Sequence, residues 1–118
     1  MIIAQISDTH LTLDTADADQ RMRDFALTIT DINALDPQPD VVVHTGDIVH
    51  NGRPDEYARA VATLAKSRAP VYVLPGNRDE RENLRAAFGA GGFEVHTRGQ
   101  RDRTTVAARR RHGLNQSR

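Results

Sequence analysis

Three short polar clusters in this chain carry residue types that can do chemistry, and each directly follows an apolar run. The first is Asp8-Thr9-His10, the second Gly46-Asp47, and the third Gly76-Asn77-Arg78-Asp79. A carboxylate and an imidazole two residues apart can turn toward one ion. Asp47, with two oxygens, can bridge that ion to a second, and Asn77 offers a neutral amide oxygen to the second. Two divalent ions clamped in this way activate a water and offset charge in an in-line displacement at phosphorus. The spacing therefore points to a metal site built from Asp8, His10, Asp47 and Asn77. Cysteine is absent, which removes disulfides and thiolate ligands together. Oxygen and imidazole donors suit Mn, Fe, Zn or Mg better than soft metals.

The elements that must position these clusters follow from the apolar pattern. Asp40-Val41-Val42-Val43-His44-Thr45 places three β-branched residues in a row, which predicts a strand buried on both faces. Gly46 lets the backbone turn sharply after it and delivers Asp47 just past the strand's carboxyl end, the edge where open α/β sheets bind ligands. Residues 1–7, with Ile2, Ile3 and Ile6, predict the first strand, and Val71 to Leu74 the third. Between them, Met22, Phe25, Ala26, Ile29, Ile32 and Leu35 recur at three and four residues. They predict an amphipathic helix over 16–35, ended by Asp36-Pro37-Gln38-Pro39. Tyr57, Ala58, Val61, Leu64 and Ala65 predict a second helix over 55–67. Leu84, Ala87 and Phe88 predict a third, capped by Asn77 or Asp79 and ended by Gly89 to Gly92. Strand and helix alternate three times, so the expectation is an α/β fold with parallel strands joined by right-handed crossovers.

The last quarter breaks this pattern. Residues 1–93 hold nine Arg/Lys against fourteen Asp/Glu, whereas residues 94–118 hold seven Arg against two acids. The zero net charge of the 118 residues hides that asymmetry. A fourth strand could begin at Phe93, but from Arg98 onward large apolar residues nearly vanish. The expectation is one domain over residues 1–92 followed by a basic, disordered tail over 93–118. Such a break is what sequence read past a frameshift or truncation would produce. The first charged residue comes too early for a signal peptide, and no apolar run is long enough to span a membrane, so the expectation is a cytoplasmic protein.

The order Asp8-x-His10, Gly46-Asp47, Gly76-Asn77-x-Asp79, each after a strand, resembles the amino-terminal half of calcineurin-like metallophosphoesterases. Ile6-Ser-Asp-Thr-His-Leu11 and the Gly46 to Gly52 loop are similar to the bacterial cyclic-nucleotide phosphodiesterase branch. The resemblance covers residues 1 to about 92. It implies a βαβαβα half of an α/β/β/α sandwich, a phosphoester substrate such as a cyclic nucleotide, and two divalent ions (Mn, Fe or Zn). Asp8 and His10 would bind the first ion, Asp47 would bridge, and Asn77 would bind the second. The family usually has histidine where Arg78 stands. Arginine stays charged and cannot act as a general acid near neutral pH, but its planar fork can pair with a phosphate. The family also supplies histidines from a carboxyl-terminal half that has no counterpart in this chain. The implied activity is therefore metal-dependent hydrolysis of phosphoric esters, weak or absent in this chain by itself.

Simpler roles compete for several of these residues. Asp47 alone reads equally as a turn former, and only its company makes it a ligand. His44, inside a strand, reads as a packed core residue, His50 as solvated with a path to substrate, and Asp79 to Glu82 as helix caps. Two other functions have some basis. A receiver-like domain phosphorylated on Asp47 suits the length but lacks a second acid beside Asp8. A nucleic-acid module built on Arg109-Arg110-Arg111 lacks interleaved aromatics and ranks last. A metal-binding half-fold completed by a partner chain is the remaining alternative.

Overall fold

The computed structural model describes residues 1–77, 79–95 and 107–109. The alternation expected from the sequence is present. Strand β1 (Ile3–Ile6), helix α1 (Ala18–Asn33), β2 (Val41–His44), α2 (Pro54–Leu64), β3 (Val71–Val73) and α3 (Arg81–Ala90) follow in order. β1 pairs with β2 and β2 with β3, both parallel, with Ile6 opposite His44 and His44 opposite Val73. Strand order follows chain order, so right-handed crossovers carry the helices to one face of the sheet. That face is formed by two rows, Ala4–Val42–Val71 and Ile6–His44–Val73. Phe25 and Ile29 of α1, Tyr57, Ala60 and Leu64 of α2, and Leu84 and Phe88 of α3 pack with them into one core.

The opposite face departs from the expectation of a strand buried on both sides. Val42 and His44 are fully buried, but Val41 and Val43 are only half-buried. The open rows are Ile3–Val41 and Gln5–Val43–Tyr72, with Ile3 58% and Tyr72 42% exposed. The three valines in a row gave no sign of which face was covered, because an apolar run has no period to mark one.

Two further strands follow, one where the sequence allows a fourth strand from Phe93 and one within the stretch expected to be a disordered tail. β4 (Glu94–Val95) and β5 (Ala107–Arg109) pair antiparallel, and β5 pairs antiparallel with β3, giving the sheet order β1-β2-β3-β5-β4. Phe93, just before β4, is buried with its ring 4.9 Å from that of Phe88. A two-residue and a three-residue strand are too short for alternation to declare itself. The rest of the expected tail, residues 96–106 and 110–118, lies outside the described residues, as does Arg78. Among the described residues no helix is long and apolar enough to cross a membrane.

The helix ends show how the chain fixes its own boundaries. Gln38, between the two prolines, donates its amide hydrogens to the carbonyls of Ile32, Asn33 and Leu35 (3.1, 2.7 and 2.8 Å), at and just past the end of α1 where carbonyls lack the next helical turn. Pro54 opens α2, where its missing N–H costs nothing. Glu56, two residues on and fully buried, accepts from the backbone N–H groups of Asn51 (2.9 Å) and Arg53 (3.2 Å) and from the Asn51 side chain (3.0 Å). α3 is capped by Glu80, whose carboxylate accepts from the Asn83 N–H; it lies within the Asp79 to Glu82 stretch read as helix caps, while Asn77 and Asp79 do not take that role.

Candidate metal centre

The loops after β1 and β2 are laced together by backbone hydrogen bonds. Asp8 N–H donates to Gly46 O (3.1 Å), His10 N–H to Asp47 O (3.0 Å), Leu11 N–H to Ile48 O (2.9 Å) and His50 N–H to Leu11 O (2.8 Å). This lacing continues the parallel pairing of the two strands beyond their ends. It brings Asp8, His10 and Asp47 to one point, where one ligand atom from each lies within 4.8 Å of the others. Three of the four ligands expected from the sequence are therefore brought together.

These same three residues have the backbone conformation that side chains other than glycine avoid. Asp8 (φ 57°), His10 (φ 45°) and Asp47 (φ 54°) are the non-glycine residues with positive φ among those described. Each such residue costs about 1–3 kcal/mol and persists only where its surroundings hold it. The strained positions coincide with the three residues whose ligand atoms converge.

The third loop enters through two glycines. Gly46 has φ +117°, and a Cβ there would lie 2.6 Å from the Gly76 Cα. A Cβ on Gly76 would in turn lie 2.5 Å from Asp47 Oδ1. Backbone thus packs on backbone, which only glycine permits, and the Gly76-Asn77 turn is seated against Asp47. Asn77 is exposed in that turn, one residue beyond the contact.

The donor set fits a divalent cation. His10 Nε2 lies 3.5 Å from Asp8 Oδ1, and the buried His10 Nδ1 has no hydrogen-bond partner among the described residues. A buried imidazole nitrogen without a partner is costly unless something binds it. Two carboxylates and an imidazole suit Mn, Fe or Zn. Arg21 reaches from α1 to donate through Nη1 to the His10 carbonyl (3.0 Å), while its Nε pairs with Asp17 (3.0 Å). The cluster opens into a cavity of about 760 Å³ whose walls include Asp8, His10, Arg21, Asp24 and His50. His50 stands edge-on to His10, ring centres 6.4 Å apart.

His44 is a core residue, as its place in the strand suggests, but it also braces the loops. It is fully buried, and its Nδ1 accepts from the Gly46 N–H (3.2 Å). Its proton therefore sits on Nε2, which donates to Thr9 Oγ1 (2.9 Å), and the Thr9 hydroxyl donates to Ile48 O (2.8 Å). Burial pushes its pKa down from 6.5 to about 4, with the Asp8 and Asp47 carboxylates opposing the shift and His10 adding to it.

Sequence reasoning missed the part played by Asp79. Its carboxylate accepts from the N–H groups of Asp47 (2.9 Å), Gly76 (2.7 Å) and Ile48 (3.2 Å), and from the Tyr57 hydroxyl (2.9 Å). The signal available is its place in the Gly76 to Asp79 cluster, where a helix cap is the simpler role. Tyr57 gave no signal beyond its position in the apolar stripe of α2. Thr9 and Arg21 likewise look like ordinary polar residues until the loops are assembled.

Comparison with known proteins agrees with this geometry. The model of the family described as calcineurin-like phosphoesterase matches residues 1–108. A probable glycerophosphodiester phosphodiesterase of Arcobacter nitrofigilis is 39% identical over 94 residues, covering 75% of this chain and 33% of that protein. A glycerophosphodiester phosphodiesterase of Enterobacter lignolyticus is 36% identical over 88 residues, 69% of this chain and 30% of that protein. A probable cyclic nucleotide phosphodiesterase of Coxiella burnetii is 32% identical over 78 residues, 66% of this chain and 32% of that protein. The chain spans about a third of the length of these curated relatives. With nearly all of its residues matched and its strand-end carboxylates and imidazole gathered at one sheet edge, the chain belongs to the calcineurin-like phosphoesterase family.

Proposed function

We propose that this chain supplies the metal-binding edge of a phosphodiester hydrolase. The observation that carries the proposal is the convergence of Asp8, His10 and Asp47, each in a strained backbone conformation, within 4.8 Å. Asp8, His10 and Asp47 would hold a first divalent ion, and Asp47 with Asn77 a second. Divalent ions in such a pair supply Lewis acidity and a nucleophilic water at neutral pH. The chain's own residues orient the ligands, exclude competing hydrogen bonds from His10 Nδ1, and offer Arg78 as a cation for the phosphate.

A phosphodiester is the proposed substrate class, because it is the chemistry shared by relatives named for glycerophosphodiesters and for cyclic nucleotides. Among the described residues the first ion would have three protein ligands, the number catalytic zinc sites commonly use, and the second two. With those ligands alone turnover would be slow, and a segment supplying further ligands would raise it. The open sheet face bearing Ile3, Val43 and Tyr72 is where such a segment has room.

The test is hydrolysis of bis(p-nitrophenyl) phosphate by protein incubated with Mn²⁺. Slow release of p-nitrophenol that stops on chelation and is abolished by Asp47→Asn is the expected result. Equal rates in the wild type and Asp47→Asn would overturn the proposal.

A further inference from the structure

We infer that Asp79 and Tyr57 form a positioning unit that sets the orientation of Asp47 and of the Gly76-Asn77 turn, and so controls metal affinity from outside the coordination shell. The inference rests on the metal centre proposed above.

A carboxylate has about four lone-pair positions. Those of Asp79 are taken by the N–H groups of Asp47, Gly76 and Ile48 and by the Tyr57 hydroxyl, at 2.9, 2.7, 3.2 and 2.9 Å. It is committed to protein donors, which marks it as a support rather than a ligand. Two of its donors belong to the backbone that carries the proposed second-ion ligands. One is the N–H of Asp47 itself, and the other is that of Gly76, one residue before Asn77.

Asp47 is consequently held from both sides. Its N–H is fixed by Asp79 and its carbonyl accepts from His10 N–H at 3.0 Å. Release of either bond would let a residue at φ 54° relax toward an ordinary conformation and swing its carboxylate away. Tyr57 fixes Asp79 in turn. It is fully buried in the core face of α2, donates to Asp79 Oδ1, and accepts the Glu80 N–H at 2.8 Å. Burial, with the Asp79 carboxylate beside it, pushes the phenol pKa up, so it remains a donor at every working pH. A residue that only capped α3 would bond inside that helix, and Glu80 already does so.

The test compares three variants by Mn²⁺ titration and by the visible spectrum of the Co²⁺-loaded protein. Asp79→Asn turns an amide NH₂ toward a donor, and its affinity should fall roughly 10–100-fold, the loss typical of supporting groups around a metal. Tyr57→Phe removes one hydroxyl, should keep a single cooperative melt without metal, and should weaken Mn²⁺ several-fold with an altered Co²⁺ spectrum. Glu80→Ala removes the α3 cap but touches neither Asp47 nor Gly76, so it should lower stability and leave both metal readouts unchanged. If Asp79→Asn does not fold, Tyr57→Phe carries the test. Wild-type affinity and spectrum in Tyr57→Phe would overturn the inference, as would an equal shift in Glu80→Ala. Absence of Mn²⁺ binding by the wild type would instead overturn the metal centre, and this inference with it.

Discussion

Acidification from pH 7 to 4.5 should destabilise the metal-free protein through His44. In the unfolded chain this imidazole takes up a proton near 6.5, while in the fold burial holds it down to about 4. Its Nδ1 already accepts from the Gly46 N–H, so a proton there would set two donors against each other. Between pH 6.5 and about 4 the unfolded state binds the proton and the folded state does not. Stability therefore falls as pH falls through that window and is unaffected by this group above pH 7. The shift corresponds to about 3 kcal/mol by pH 4, lost at no more than about 1.4 kcal/mol per pH unit. Carboxylates also contribute to acid sensitivity, so the comparison is with His44→Gln, which cannot titrate. Urea unfolding in a chelating buffer would follow both proteins. The variant should be less stable at pH 7, where the Gly46 N–H has lost its acceptor, and the gap should narrow by about 2–3 kcal/mol at pH 4.5. A gap constant with pH, or His44 ring resonances titrating near 6.5, would refute the reasoning.

Gly46→Ala should destabilise by about 3 kcal/mol and weaken metal binding, since its Cβ meets Gly76 at 2.6 Å and its φ is +117°. A urea midpoint unchanged from the wild type would contradict the close backbone contact. Glu56→Ala should cost about 2 kcal/mol, because the N–H groups of Asn51 and Arg53 lose their acceptor. Its effect should appear in stability and leave Mn²⁺ affinity intact, as measured by titration of the folded variant.

The parts of the fold visible in the sequence were those with a period or a stop. Met22, Phe25 and Ile29 marked α1, the prolines at 37 and 39 ended it, and the strand-end clusters located Asp8, His10 and Asp47. What sequence did not reveal depends on contacts between distant segments. The role of Asp79 exists only because three backbone N–H groups from two loops converge on it. The half-burial of Val43 and the exposure of Tyr72 depend on which face the crossovers cover, and β5 is too short to signal itself.

The central claim, a metal centre bridged by Asp47, is tested most directly by Mn²⁺ titration of the wild type, Asp47→Ala and Asn77→Ala, followed by calorimetry and electron paramagnetic resonance. The account predicts one tighter and one weaker ion in the wild type, loss of both in Asp47→Ala, and loss of only the weaker in Asn77→Ala. Binding by Asp47→Ala that matches the wild type would contradict it.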